Sequence, residues 1–183
     1  NTGNLDTTVM VLDSNSRISL SNNDSGGTGG SDSLSANTLL GYLAGEDIAS
    51  GGVDNTYYGH KAGNNNATGD DNTFIGSNAG KGVNGNSNDD NTGIGSDCML
   101  AITTGTRNTA IGRGSGDGLT TVNRTVLIGD SAGSGVMTTG GSIPSNADGT
   151  VAIGYSALYA LTSGAGNVAV GYQSLDAEDD GDF

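Results

Sequence analysis

Few residues of this sequence have side chains suited to catalysis. His60 is the single histidine and Cys98 the single cysteine among 183 residues. Acid–base or nucleophilic catalysis needs such a group beside a partner that activates it, and neither residue has one at a recognisable spacing. Each instead takes a place in a repeated pattern, where other copies carry Tyr, Ser, Arg or Asp for His60 and mostly Ala for Cys98. We therefore predict no catalytic and no cofactor-binding residues, and a protein that is not an enzyme.

Paired carboxylates are the second group with chemical potential. Asp70-Asp71 and Asp89-Asp90 each precede an Asn, and a further acidic run extends from Asp176 to Asp182. Oxygen ligands of this kind hold Ca²⁺ in proteins, so Asp71 and Asp90 leave open a structural calcium site between neighbouring chains. Solvated turns without a metal ion are the default interpretation, and the sequence predicts no other cofactor.

The composition excludes several classes of partner. Asp and Glu number 20 against 6 Lys and Arg, for a formal net charge of −14, whereas nucleic acid is bound mainly through Lys and Arg. The same charge disfavours binding to an anionic membrane surface. The sequence also lacks an apolar run of about 18 residues, which membrane insertion would need. Aromatic residues make up only 4%, too few for a conventional thick core. The composition is therefore compatible with either a disordered chain or an elongated fold with a thin core.

A short phrase repeated eight times decides between these two. Each copy has the form Asn-Thr-x-Ile-Gly or a close variant, and its closing residues are Gly41, Gly59, Gly76, Gly95, Gly112, Gly129, Gly154 and Gly171. Successive glycines are 18, 17, 19, 17, 17, 25 and 17 residues apart. A fixed period of this length is typical of a solenoid, in which each repeat forms one coil. We therefore predict an all-β, elongated parallel β-solenoid or β-roll of about eight coils of 17–19 residues.

The repeated strand is apolar on both of its faces. The position before the glycine is Ile, Leu, Val or Tyr, and the position two residues earlier is Thr or Val, so both lie on one face. The position between them is also mostly apolar and points the opposite way. A strand with two apolar faces is normally covered on both. The coil itself covers one face, and we expect further copies of the same chain to cover the other.

Six phrases begin with Asn, namely Asn37, Asn55, Asn72, Asn91, Asn108 and Asn167. Coils stacked at about 4.8 Å would align these side chains into a hydrogen-bonded amide ladder. We assign residues 37–175 to the repeat shaft, with a longer loop near 136–149. We expect residues 1–36 to form a lead-in with two short strands, Val9–Leu12 and Arg17–Leu20, and a Gly-rich linker, and residues 176–183 to be the acidic start of a further repeat or linker.

The last two copies carry a resemblance. Ala152-Ile-Gly-Tyr-Ser-Ala-Leu158, Thr162-Ser-Gly and Asn167-Val-Ala-Val-Gly-Tyr-Gln-Ser-Leu175 resemble the Asn-Thr-Ala-Ile-Gly-Tyr-x-Ala-Leu repeats of tailed-phage tail-fibre proteins. They are similar also to the head repeats of trimeric autotransporter adhesins, which are usually shorter and richer in Ala. Both families imply a homotrimer, intertwined or side by side.

The tail-fibre resemblance implies a structural shaft or spacer in the virion tail, outside the host cell. Its partners would be other tail or baseplate proteins and a host surface glycan or protein, with the receptor-binding residues unknown. The alternatives are the head or stalk of a bacterial cell-surface adhesin and a glycan- or ice-binding solenoid. A polysaccharide-cleaving tailspike is a further, weaker alternative.

Overall fold

The computed structural model describes residues 36–49, 51–137 and 147–180, together with the backbone of two short strands nearer the start. These two strands, β1 (Val11–Leu12) and β2 (Ile18–Ser19), pair antiparallel and fall within the segments Val9–Leu12 and Arg17–Leu20. The Gly-rich linker, the centre of the loop near 136–149 and the last three residues lie outside the described residues.

The eight repeat strands stack in chain order into one parallel sheet. They are β3 (Thr38–Leu40), β4 (Thr56–Tyr58), β5 (Thr73–Ile75), β6 (Thr92–Ile94), β7 (Thr109–Ile111), β8 (Val126–Ile128), β9 (Val151–Ile153) and β10 (Val168–Val170). Each residue pairs with the equivalent residue of the next copy, as Thr92 does with Thr109. The chain makes seven turns between these strands, which confirms the all-β parallel solenoid.

The middle residue of each strand points into the coil. Tyr57, Phe74, Ala110 and Leu127 are fully buried there. The first and third residues point outward, and none of them is buried. The sequence shows two apolar faces, and the structure decides which of them is the core.

In most coils of the narrow core, a large side chain at one position accompanies a small one at a second. The two positions are the middle residue of the strand and the residue four after the closing glycine. Four residues after the closing glycine the backbone is left-handed, and five copies carry glycine there. A Cβ added to Gly80 would lie 2.3 Å from the Phe74 ring, so the large inner residue needs the small one. Where the strand's middle residue is Gly93, the equivalent position holds Met99, which is fully buried. The same exchange pairs Ala152 with Leu158, which is fully buried, whereas Leu175, which follows Ala169, is 42% exposed. The coil with Ala110 keeps a glycine, Gly116, where an added Cβ would collide with Leu127 of the next coil.

The return arm of the coil supplies the opposite wall of the core. Ile102, Leu119 and Leu161 each lie seven residues after a closing glycine and are fully buried. In the second coil this position is Asn66, which is buried too and whose Nδ2 donates to the Tyr57 hydroxyl at 2.6 Å. The longer Tyr57 therefore reaches across the core, and the polar residue opposite provides the partner that its buried hydroxyl requires.

Candidate assembly surface

A buried amide ladder connects the strands from Asn37 to Thr125. In each rung the side-chain oxygen of one Asn accepts from the backbone N–H of the next, as Asn91 Oδ1 does from Asn108 N at 3.0 Å. The side-chain Nδ2 of Asn91 donates upward to Gly105 O at 2.9 Å and downward to Asn72 Oδ1 at 3.1 Å. All six Asn residues are at most 5% exposed. The predicted amide ladder is therefore present, and it also binds the backbone.

The ladder changes composition near the end of the chain. Thr125 replaces Asn and its hydroxyl still donates to Asn108 Oδ1 at 2.9 Å. Thr150 follows, and its buried Oγ1 has no hydrogen-bond partner. Asn167 is fully buried, and its Oδ1 has no partner either. The rungs formed by Thr150 and Asn167 are thus less completely paired than those before them.

The outward residues of the eight strands form a continuous apolar surface, which we call the outer face. It consists of a Thr and Val row and a parallel row of Leu, Tyr, Ile and Val. Its length is about 34 Å, since strands are spaced about 4.8 Å apart. Leu40 is 47% exposed, Ile111 37% and Val170 66%. An exposed row of β-branched and aliphatic side chains along a whole sheet is typical of a surface that binds a partner.

The outer face is bordered on one side by the residue that precedes each ladder position. We call this row the N-side corner, and its members are Ala36, Asp54, Asp71, Asp90, Arg107, Arg124, Gly149 and Gly166. All eight have a left-handed backbone with φ between 46° and 74°, and all are exposed. Arg107 pairs with Asp90 of the coil below at 3.4 Å.

The opposite border is the residue that follows each closing glycine. We call this row the C-side corner, and its members are Tyr42, His60, Ser77, Ser96, Arg113, Asp130, Tyr155 and Tyr172. Tyr42 stacks on His60 and Tyr155 on Tyr172, with ring centroids 5.7 Å and 5.2 Å apart. Arg113 pairs with Asp130 at 2.9 Å.

His60 and Cys98, whose side chains could in principle support catalysis, lie on different coils and in different environments. His60 is an exposed member of the C-side corner, in contact with Tyr42. Cys98 is fully buried, with its Sγ 3.2 Å from Ala110 O. Burial raises the pKa of the Cys98 thiol to about 12, which opposes formation of a nucleophilic thiolate.

The carboxylates considered for calcium fall into two places. Asp71 and Asp90 lie on adjacent coils of the N-side corner, where desolvation and then the charges of Asp54 and Asp90 raise the pKa of Asp71. A separate group comprises Glu178, Asp179 and Asp180, whose carboxylate oxygens lie within 4.8 Å of one another. Exposed acidic groups of this kind are common without a metal, and neither place adds a further ligand that points to one.

Across residues 36–49, 51–137 and 147–180, no helix has the length and apolar character needed to cross a membrane. In comparisons with known proteins, no family model matches the chain, and neither a curated protein nor a solved structure shows significant similarity to it.

Proposed function

We propose that this chain is a shaft segment of a tailed-phage tail fibre, assembled as a homotrimer with the outer faces turned toward a common axis. The observation that carries the proposal is the outer face, which runs unbroken along all eight coils. A partner that covers it has to match a regular array of Thr, Val, Ile, Leu and Tyr side chains with a spacing of about 4.8 Å, and another copy of the same chain has that same spacing.

The proposed role is mechanical. The buried amide ladder and the strand hydrogen bonds run along the fibre axis, so that an axial load is carried from coil to coil by these bonds. In this role the segment holds a receptor-binding tip away from the virion and connects it to other tail or baseplate proteins. Recognition of a host glycan or protein would then fall to the tip or to exposed loops.

Solution mass tests the assembly. By analytical ultracentrifugation or light scattering, we expect a particle of three times the 18.0 kDa chain mass. Ile111→Lys places a charge in the middle of the outer face and should dissociate the particle while the circular dichroism of the coil is retained. Thr104→Lys adds the same charge on the exposed return arm and should leave the mass unchanged. A stable wild-type monomer would refute the proposal.

Location tests the biological role. Antibodies raised against residues 36–180 should label the fibres of intact phage particles in electron micrographs and should block adsorption to the host. Labelling of a bacterial surface would instead favour the adhesin alternative. An ice-binding solenoid is a further candidate, although the outer face keeps Thr in only five of its eight coils and changes to Val in the last three. A monomer with thermal hysteresis would support that candidate.

A further inference from the structure

The two corners that border the outer face carry matched residues, coil by coil. Where the C-side corner holds Tyr42, Tyr155 or Tyr172, the N-side corner of the same coil holds Ala36, Gly149 or Gly166 respectively. The remaining five coils combine Ser, His, Arg or Asp on the C-side with Asp or Arg on the N-side. The large rings thus coincide with the coils whose opposite corner has the smallest side chains.

Contacts within one chain do not account for this match. Five residues, including the extended strand β10, lie between Gly166 and Tyr172, which places the two roughly 15–20 Å apart. A Cβ added to Gly166 would meet nothing within 4 Å. The left-handed backbone does not demand glycine either, since Asp and Arg adopt it in five other coils. The space at Gly149 and Gly166 is therefore open to a group from outside the chain.

Parallel copies around an axis would bring the two corners together. When the outer faces turn inward and all chains run in the same direction, the N-side corner of each copy lies beside the C-side corner of the next at the same height. Antiparallel copies would instead place like corners together. The matched residues therefore favour a parallel arrangement without an axial shift.

We propose that the C-side corner of each chain packs in register against the N-side corner of a neighbouring copy, with Tyr155 and Tyr172 filling the space at Gly149 and Gly166 of that copy. This inference rests on the proposed homo-oligomeric fibre and adds its direction and register. The exposed rings, 47% and 74% accessible in the single chain, become buried in the assembly.

The charged residues at the corners of the other coils are compatible with the same register. It places Asp130 against Arg124 of the neighbour, and His60 against Asp54. The one coil with like charges combines Arg113 with Arg107, and each of these already pairs with an Asp of its own chain, at 2.9 Å and 3.4 Å. Each arginine therefore brings a local counter-charge into the contact.

Engineered disulfides test the register directly. In a Cys98→Ala background, which introduces the residue common at that position, Gly166→Cys combined with Tyr172→Cys should form disulfides between chains on mild oxidation. The monomer band should disappear from a non-reducing gel. The control pair Arg124→Cys and Tyr172→Cys is displaced by two coils, or about 9.6 Å, and should remain largely uncrosslinked because disulfides need Cα atoms within about 7 Å.

A second pair of variants tests the packing without a new covalent bond. Gly166→Asn suits the left-handed backbone but would collide with the neighbour's ring, so the dissociation temperature should fall. Adding Tyr172→Ser should restore it, since Ser stands at this corner in two other coils.

The outcomes separate this inference from the proposed function. A native oligomer that crosslinks only through the displaced pair, or through neither pair, would overturn the register and leave the fibre proposal standing. A monomeric wild-type chain would overturn both.

Discussion

Replacement of Asn91 by Ala tests whether the amide ladder stabilises the solenoid. Asn91 lies in the middle of the ladder, is fully buried and belongs to a complete rung. Its removal leaves the Asn108 N–H without the acceptor now at 3.0 Å and Gly105 O without the donor now at 2.9 Å. A buried polar group that loses its partner costs about 1–3 kcal/mol. For two such groups we expect the free energy of unfolding to fall by about 2–6 kcal/mol.

Two measurements check this expectation. Urea unfolding gives the change in the free energy of unfolding, and native-state hydrogen exchange reports on the Asn108 amide itself. A loss of 2 kcal/mol or more should speed exchange at that amide by at least about tenfold, since about 1.4 kcal/mol corresponds to a factor of ten. Asn84→Ala removes the same side chain from an exposed position and should change stability by less than about 0.5 kcal/mol. Equal effects of the two variants, with unchanged exchange at Asn108, would refute the role of the ladder.

Three further variants or treatments follow from the same geometry. Gly112 has a φ of 136°, and an added Cβ would lie 2.4 Å from Gly129 O. Gly112→Ala should therefore destabilise the solenoid by at least about 1–3 kcal/mol. An unchanged melting temperature would contradict this. Cys98, with its pKa raised by burial to about 12, should resist alkylation at pH 8 in the native protein and react once unfolded, as mass spectrometry would show. Thr150→Asn should give Asn167 N–H an amide acceptor of the kind the earlier rungs have, raising stability by about 1 kcal/mol; a lower melting temperature would contradict this.

The repeat and its period were sufficient to predict the strands. The eight phrases correspond to β3–β10, and the parallel register that alignment of the phrases implies is the one observed. The ladder was predictable for a related reason, because identical residues at identical places in stacked coils must lie above one another. The pattern did not show that the ladder side chains also bond to the backbone, as Asn91 Nδ2 does to Gly105 O.

The return arm was the part that sequence reasoning missed. Its residues are mainly Gly, Asn, Asp, Ser and Thr, which indicates turns, yet Ile102, Leu119 and Leu161 form the second wall of the core. Their common distance of seven residues from a closing glycine was a signal in the sequence. It is weak because the same position is Asn66 in one coil and the exposed Val83 in another.

The sequence by itself determined the period, the residues that align in columns, and the presence of two apolar strand faces, because all three follow from spacing along the chain. Only the tertiary structure decided which face forms the core. The inner face is the one whose volume is balanced across the coil, as by Gly93 with Met99 or Phe74 with Gly80. Such a balance depends on which side chains meet across a closed turn, and spacing along one strand carries no information about that.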